Sequence, residues 1–233
     1  MPRTLLVLCL ALVAAACGGG SADTTAPPEP SVLLATTADA MHATSGARFD
    51  LIRMGEPVFI DTGGLFEFNE AIGSYSPPAA AAVRIQASAF GLTTEVDAVS
   101  VDGDAWYTHP VTGAWERLPV TFGFDPVALF DPEDGWRPLL TQDLSDITMS
   151  EAEYDGNTVW KITGTTAPER LEVITAGLVA DQAVEMTLFI DKATSHVLEA
   201  SFTSQMGEGT TDWTLRLYDF GSEFDIQLPE AAQ

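Results

Sequence analysis

From Ala47 onward, apolar side chains recur at every second residue in run after run, and a chain with that period buries them by pairing strands that each keep one face inward. In "ARFDLIRM" Phe49 and Leu51 alternate with Arg48 and Asp50, and in "LFEFNEAIGSY" Phe66, Phe68 and Ile72 alternate with Glu67 and Asn69. "VRIQASAFG" sets Val83 and Ile85 on one face, "LTTEVDAVSV" adds Val96, and Asp102-Gly103 is a hairpin signal leading into "AWYTHPVTGAWERLP". Alternation resumes in "ITMSEAEYDG", in "NTVWKITGT" after Asp155-Gly156, in "AVEMTLFID", in "HVLEASFTSQ" and in "DWTLRLYDFGSEFDIQLP". The pattern predicts about ten antiparallel strands. It turns Phe49, Leu51, Phe66, Phe68, Ile72, Val83, Ile85, Val96, Trp160, Ile162, Met186, Leu188, Leu198, Phe202, Leu215 and Leu217 inward. Period alone does not say whether inward means a packed core or the wall of a cavity.

Helical pieces interrupt the strands. Ser31 is placed to cap a helix through "VLLATTADAMHAT", where Leu34, Thr37, Ala38 and Met41 form one stripe. Asp125-Pro126 and Asp131-Pro132 are each a cap followed by proline in a first helical turn, with Pro138 expected to end the second piece, and Pro168 opens "PERLEVITAGLV". Many strands with a few short helices predict an α+β domain, one long antiparallel sheet with helices gathered on one face, over residues 31–233.

The N-terminus is of another kind. Arg3 followed by the uncharged "TLLVLCLALVAAA" has the shape of a secretory signal, and the run is short of the about 20 apolar residues that a spanning helix needs. Ala14, Ala15 and Ala16 directly before Cys17 resemble the bacterial lipobox, with alanine where leucine is usual at the first position. The expectation is a signal peptide over residues 1–16, a diacylglyceryl and N-acyl group on Cys17, and a lipidated tether over 17–30 too polar and Gly-rich to fold. The alternative is an ordinary signal peptide with a chance cysteine at the cut. Cys9 leaves with the signal, so no disulfide is expected.

Ten basic residues against 34 acidic ones give a net charge of −24, and loss of Arg3 takes it to −25, 9 against 34. Such a surface, with no cluster of Lys and Arg, repels phosphate backbones and anionic headgroups, so no nucleic acid partner is expected and a membrane is reached through the covalent anchor. No constellation for catalysis appears. His42, His109 and His196 have no metal-ligand spacing, there is no Gly-x-Ser-x-Gly elbow, and acid pairs such as Glu151 with Glu153 or Asp131 with Asp134 arise by chance among 34 acids. No enzyme activity, cofactor or metal is expected.

"WYTHPVTGAWERLP" followed by "FGFDPVALFDPEDG", then "YDGNTVWKITGT", "LFIDKATSHVLEASF" and "LYDFGSEFDIQLP", in that order behind a lipobox, resemble the LppX/LprAFG lipoproteins, whose fold is similar to the lipoprotein carriers LolA and LolB. The resemblance covers roughly residues 31–229. It implies a strongly curved half-barrel sheet with short helices on its concave face, enclosing a hydrophobic cavity for the acyl chains of lipids or lipidated glycans. The inward residues above then become candidate lining. An anionic headgroup at the mouth would depend on Arg84, Lys161 or Arg170. The implied function is a membrane-anchored lipid carrier on the extracytoplasmic face; a lipid-anchored interaction or scaffold protein with a solid core is the alternative.

Overall fold

The computed structural model describes residues 26–60, 63–118, 127–131, 133–175 and 177–232. The expected signal peptide, Cys17 and the tether as far as residue 25 lie outside these, as do Asp125, Pro126 and Pro132. Helix α1 (Pro30–Ala43) precedes strands β1 (Ala47–Gly55), β2 (Glu67–Ser76), β3 (Ala80–Ala89), β4 (Leu92–Val101), β5 (Asp104–Thr108) and β6 (Trp115–Arg117). A 3-10 turn (Ala128–Phe130) and α2 (Trp136–Thr141) lead to β7 (Leu144–Tyr154), β8 (Asn157–Thr166), α3 (Pro168–Ile174), β9 (Val184–Asp191), β10 (Val197–Met206) and β11 (Gly209–Tyr218).

All eleven strands join one antiparallel sheet in the order β6-β5-β4-β3-β2-β1-β11-β10-β9-β8-β7. The chain walks outward from β1 to one edge, crosses to the other edge through the segment carrying α2, and walks back inward until β11 lies against β1. Arg48 pairs with Tyr218 and Gly55 with Thr211. Sequence reading gives one strand fewer because "AWYTHPVTGAWERLP" folds back on itself at His109–Gly113, where the His109 and Gly113 backbones bond each other, making β5 and β6.

A flat sheet of eleven strands would be about 48 Å wide at about 4.8 Å per strand spacing. Inward side chains from nine strands instead share one core cluster with α1, α2 and α3, among them Val83 and Val96 from one half, Leu188 and Ile190 from the other, and Leu34, Met41, Leu139 and Leu171 from the helices. The sheet therefore curls round the helices. All strands being antiparallel, it has two ends: β1, β3 and β5 begin at the lower end and finish at the upper.

Helix α1 starts one residue earlier than its expected cap. Glu29 is the N-cap with no side-chain bond and Pro30 takes the first turn, where its missing N–H costs nothing, so Ser31 is already helical. Leu33, Leu34, Thr37, Ala38 and Met41 are buried, the expected stripe. Pro138 does not end a helix. It lies in the first turn of α2, and its carbonyl accepts from the Gln142 and Asp143 N–H groups. Asp131 does not cap α2 either: its Oδ1 accepts from the Glu133 and Asp134 N–H groups at 2.7 and 2.9 Å, making a turn, and α2 begins after Gly135.

Two residues depart from simple alternation, each at a bulge. Between Phe68 and Glu70 the register of β2 against β3 shifts, so Phe68, Ala71 and Tyr75 face inward while Ile72, expected inward, is 48% exposed on the outer face. Between Val197 and Glu199 the same kind of shift takes Leu198 out of the inward row, and Val197 and Ala200 fill it.

His196, at the lower end, stacks on Phe220 with ring centroids 4.1 Å apart and planes 7° apart, and the adjacent Val197 N–H meets the Met41 sulfur at 3.4 Å. Burial lowers its pKa, opposed by a hydrogen bond with the Ala40 backbone and by the Asp191 carboxylate.

Two outcomes are expected. A Cβ on Gly73 would lie 2.4 Å from the Phe49 ring and 2.7 Å from the Ala82 carbonyl oxygen, so Gly73→Ala should destabilise the fold by about 1 to 3 kcal/mol in chemical denaturation. With its folded pKa below the ordinary value of about 6.5, His196 contributes stability above that pH that is lost as pH falls through the folded value. Thermal unfolding between pH 7.5 and 5.5 should therefore fall less steeply in His196→Phe than in the wild type.

Candidate functional site

The inner face of the sheet is the apolar surface on which a site must be built. Parity from Phe49 fixes it on β1, where Phe49, Leu51 and Arg53 stand opposite Leu217, Leu215 and Trp213 of β11. On the other side of β1, Phe49 faces Gly73 and Leu51 faces Ala71, and these small residues leave room for the ring and the leucine. Phe68, Val83, Ile85 and Val96 continue the face outward, and Phe68 and Phe202 each stack near Trp213, with centroids 5.9 and 6.1 Å away.

Cover on this face is uneven. Ile162, Leu188 and Ile190 are fully buried and Phe49, Leu217 and Met186 nearly so, whereas Leu51, Phe202 and Met206 are only half-buried although they point inward. Tyr107, Met149 and Trp160 on β5, β7 and β8 are half-buried too; Leu51, Phe202 and Met206 are the group beside β11, on β1 and β10 toward the upper end, while the lower part there is capped by α1 through Ala40 and Met41. Of the sixteen inward candidates, Phe49, Phe68, Val83, Ile85, Val96, Ile162, Met186, Leu188, Leu215 and Leu217 lie buried in the core cluster and Leu51, Trp160 and Phe202 pack against it. Phe66 and Leu198 are half-buried outside it.

Among the inward residues that escaped the sequence reading, Arg53 carries a charge. Arg53 follows Phe49 and Leu51 on the same parity, and its side chain is 6% exposed. Its guanidinium pairs with Glu67 and donates to the backbone oxygens of Phe68 (2.5 Å), Gly55 (2.9 Å) and Glu56 (2.6 Å). A buried cation is tolerated only when satisfied in this way, and here it pins the loop after β1 to the start of β2. Its position one step along the apolar row was the available signal. The helices carry two buried polar atoms without a hydrogen-bond partner, Thr37 Oγ1 and Trp136 Nε1.

The three cations considered for a headgroup are committed elsewhere. Arg84 is on the outer face, bonded to Asp97 at 2.8 Å. Lys161 pairs across with Phe189, also on the outer face, and Arg170 ties α3 to Asp143 at 2.7 Å. Two of the histidines serve local structure: His196 stacks on Phe220, and His109 Nδ1 accepts from the Val111 and Thr112 N–H groups. Tyr154 is pushed up to about 12 by burial and by Glu199, to which its hydroxyl donates at 3.2 Å, so it stays a neutral phenol on the outer face. A concavity of about 1100 Å³ lies outside the sheet between β1–β4 and the chain after β11. Ile72, Val99, Trp115, Phe224 and Ile226 line it under a rim of Glu223, Asp225 and Glu230.

Comparison with known proteins agrees with this architecture. The structure superposes on LprF from Mycobacterium bovis with a TM-score of 0.63 at 13% identity, covering 87% of this chain and 98% of that one. It superposes on the lipoprotein LppX from Mycobacterium tuberculosis with a TM-score of 0.60 at 13% identity, covering 85% and 98%. At that identity the likeness is one of fold. No curated protein sequence matches the chain. The LppX_LprAFG lipoprotein family matches residues 29–226, from the cap of α1 through all eleven strands, and the chain belongs to that family.

Proposed function

We propose that this protein is a membrane-anchored lipoprotein that takes the acyl chains of a lipid or lipidated glycan against the inner face of its sheet and carries or presents them in the cell envelope. The observation that supports this most is the half-covered patch of Leu51, Phe202 and Met206 on either side of β11 in a largely buried apolar face, in a chain of this family. Hydrocarbon moved there from water gains about 0.8 kcal/mol per methylene, so two long chains drive binding with no catalytic group. Parting the helices from the sheet would extend the patch toward Val83, Ile85 and Val96. The orphaned Trp136 Nε1–H and Thr37 hydroxyl are the groups an ester or hydroxyl oxygen of the lipid would satisfy. Cys17 is the proposed attachment point for the anchor, on the extracytoplasmic face of the membrane.

The second reading, a lipid-anchored scaffold with a solid core, is favoured by the complete burial of Ile162, Leu188 and Ile190 by protein alone. Leu51→Trp separates the two. Under the carrier reading, the indole occupies space meant for an acyl chain, so uptake of a fluorescent fatty acid should weaken by about tenfold, about 1.4 kcal/mol, while the melting temperature holds. Native mass spectrometry of protein gently extracted from its host should show bound lipid. A wild-type protein that carries none and takes up no fluorescent chain belongs to the scaffold reading. Cys17→Ala should abolish palmitate labelling and release the protein from membranes; labelling that persists in this variant would place the anchor elsewhere.

A further inference from the structure

Of the nine exposed large apolar side chains among the described residues, six stand at the upper end of β1–β6: Met54, Phe59, Leu65, Phe90, Leu92 and Val111. Met54 is at the end of β1, Phe59 and Leu65 are on the loop that Arg53 pins, and Phe90 and Leu92 flank the tip of the β3–β4 hairpin. Val111 is at the tip of the β5–β6 hairpin, which Thr94 bonds to β4 through the Pro110 carbonyl. Phe59, Leu65 and Phe90 meet round a recess of about 440 Å³.

The lower end of the sheet is built differently. Two of its tips, Asp102-Gly103 between β4 and β5 and Asp155-Gly156 between β7 and β8, have positive φ at both central residues, the tight hairpin turn that favours Asp or Asn before Gly. Phe90-Gly91 adopts the same backbone, φ 52° and 76°. A bulky residue is disfavoured there, yet the chain holds a phenylalanine at that position, 89% exposed. Neither folding nor solubility accounts for an aromatic in a strained turn facing water, and a cluster of such residues marks a surface that is covered in use.

We infer that these upper tips insert into the interfacial region of a lipid bilayer, a second membrane contact beside the covalent anchor. The choice of a bilayer rests on the proposed anchor at Cys17. Twelve residues separate Cys17 from Pro30, and a polar, Gly-rich sequence of that length has a mean reach of roughly 20 Å, short enough for an anchored domain to meet the membrane. With a net charge of −24, the surface fits a zwitterionic bilayer rather than an anionic one. The tips continue the apolar inner face: Phe68 is opposite Ala87, two residues from the turn, and the half-covered Leu51 and Phe202 open at the same end. Insertion there would let a chain pass from bilayer to protein with little exposure to water.

The test uses the full chain bearing Phe90→Cys labelled with nitrobenzoxadiazole, and Asn157→Cys at the lower end as the control. On phosphatidylcholine vesicles the label at 90 should shift to the blue, brighten severalfold and be quenched by nitroxide on the lipid. The label at 157 should not respond, and added anionic lipid should weaken the signal. A label at 90 that stays aqueous, or a response equal at 157, overturns the inference. A blue shift that grows with protein concentration in vesicle-free buffer means the tips meet a second copy and also overturns it. Flotation of the unlabelled chain with vesicles, beside its Cys17→Ala variant, reports the anchor separately. A chain that floats while residue 90 stays aqueous overturns the tip contact alone. One that does not float but still shifts at 90 supports the tips and overturns the anchor.

Discussion

The pairing of β1 with β11 is the contact on which the architecture depends. Every other strand pair joins strands consecutive in the chain, most through hairpin turns, β1 to β2 through a longer loop and β8 to β9 through the segment carrying α3, but Arg48 meets Tyr218 across almost the whole domain. Closing so long a loop costs more entropy than any hairpin, although the cost grows only slowly with length. The pairing is supported by what it buries: Phe49, Leu215, Leu217 and Trp213 lie along its inner side, and each large apolar side chain contributes about 1.5 to 3 kcal/mol when removed from water. Without it there would be two separate meanders, each with an unprotected central edge.

The same pairing creates the functional surface. It sets the meander of β1–β6 beside that of β7–β11 as one curved sheet, and the helices lie inside the curve with Leu34, Met41, Leu139 and Leu171 against it. Apolar residues that each look like ordinary core in their own strand become one continuous face, covered low down by α1 and only half-covered at Leu51 and Phe202. Charged pairs such as Arg84 with Asp97 stay on the outer face, open to water. Arg53 is the exception on the inner side, and four backbone or carboxylate oxygens hold it.

Most of the sheet was legible because period two is a local property. The strands fell where alternation put them, and the Asp-Gly turns at 102 and 155 were readable from turn chemistry. Errors came where one residue changes the phase. At Asn69 the bulge inverts the row, so Ile72 looked inward by counting and is outward in fact, while Tyr75 became core and stacks on Phe130 at 3.9 Å. Pro138 was misread because a proline that breaks a helix interior is harmless in a first turn, and the sequence does not say where that turn begins.

By itself the sequence determined the antiparallel strands, the buried stripe of α1, the start of α3 at Pro168, the acidic excess and the family-like order of elements, since each follows from residue type and local spacing. Only the tertiary structure decided that β11 returns to β1, that Arg53 is buried, that cover is thin over Leu51 and Phe202, and that the apolar tips gather at one end. These are relations between residues far apart in the chain. They depend on register and on how the sheet curls, and a local pattern records neither.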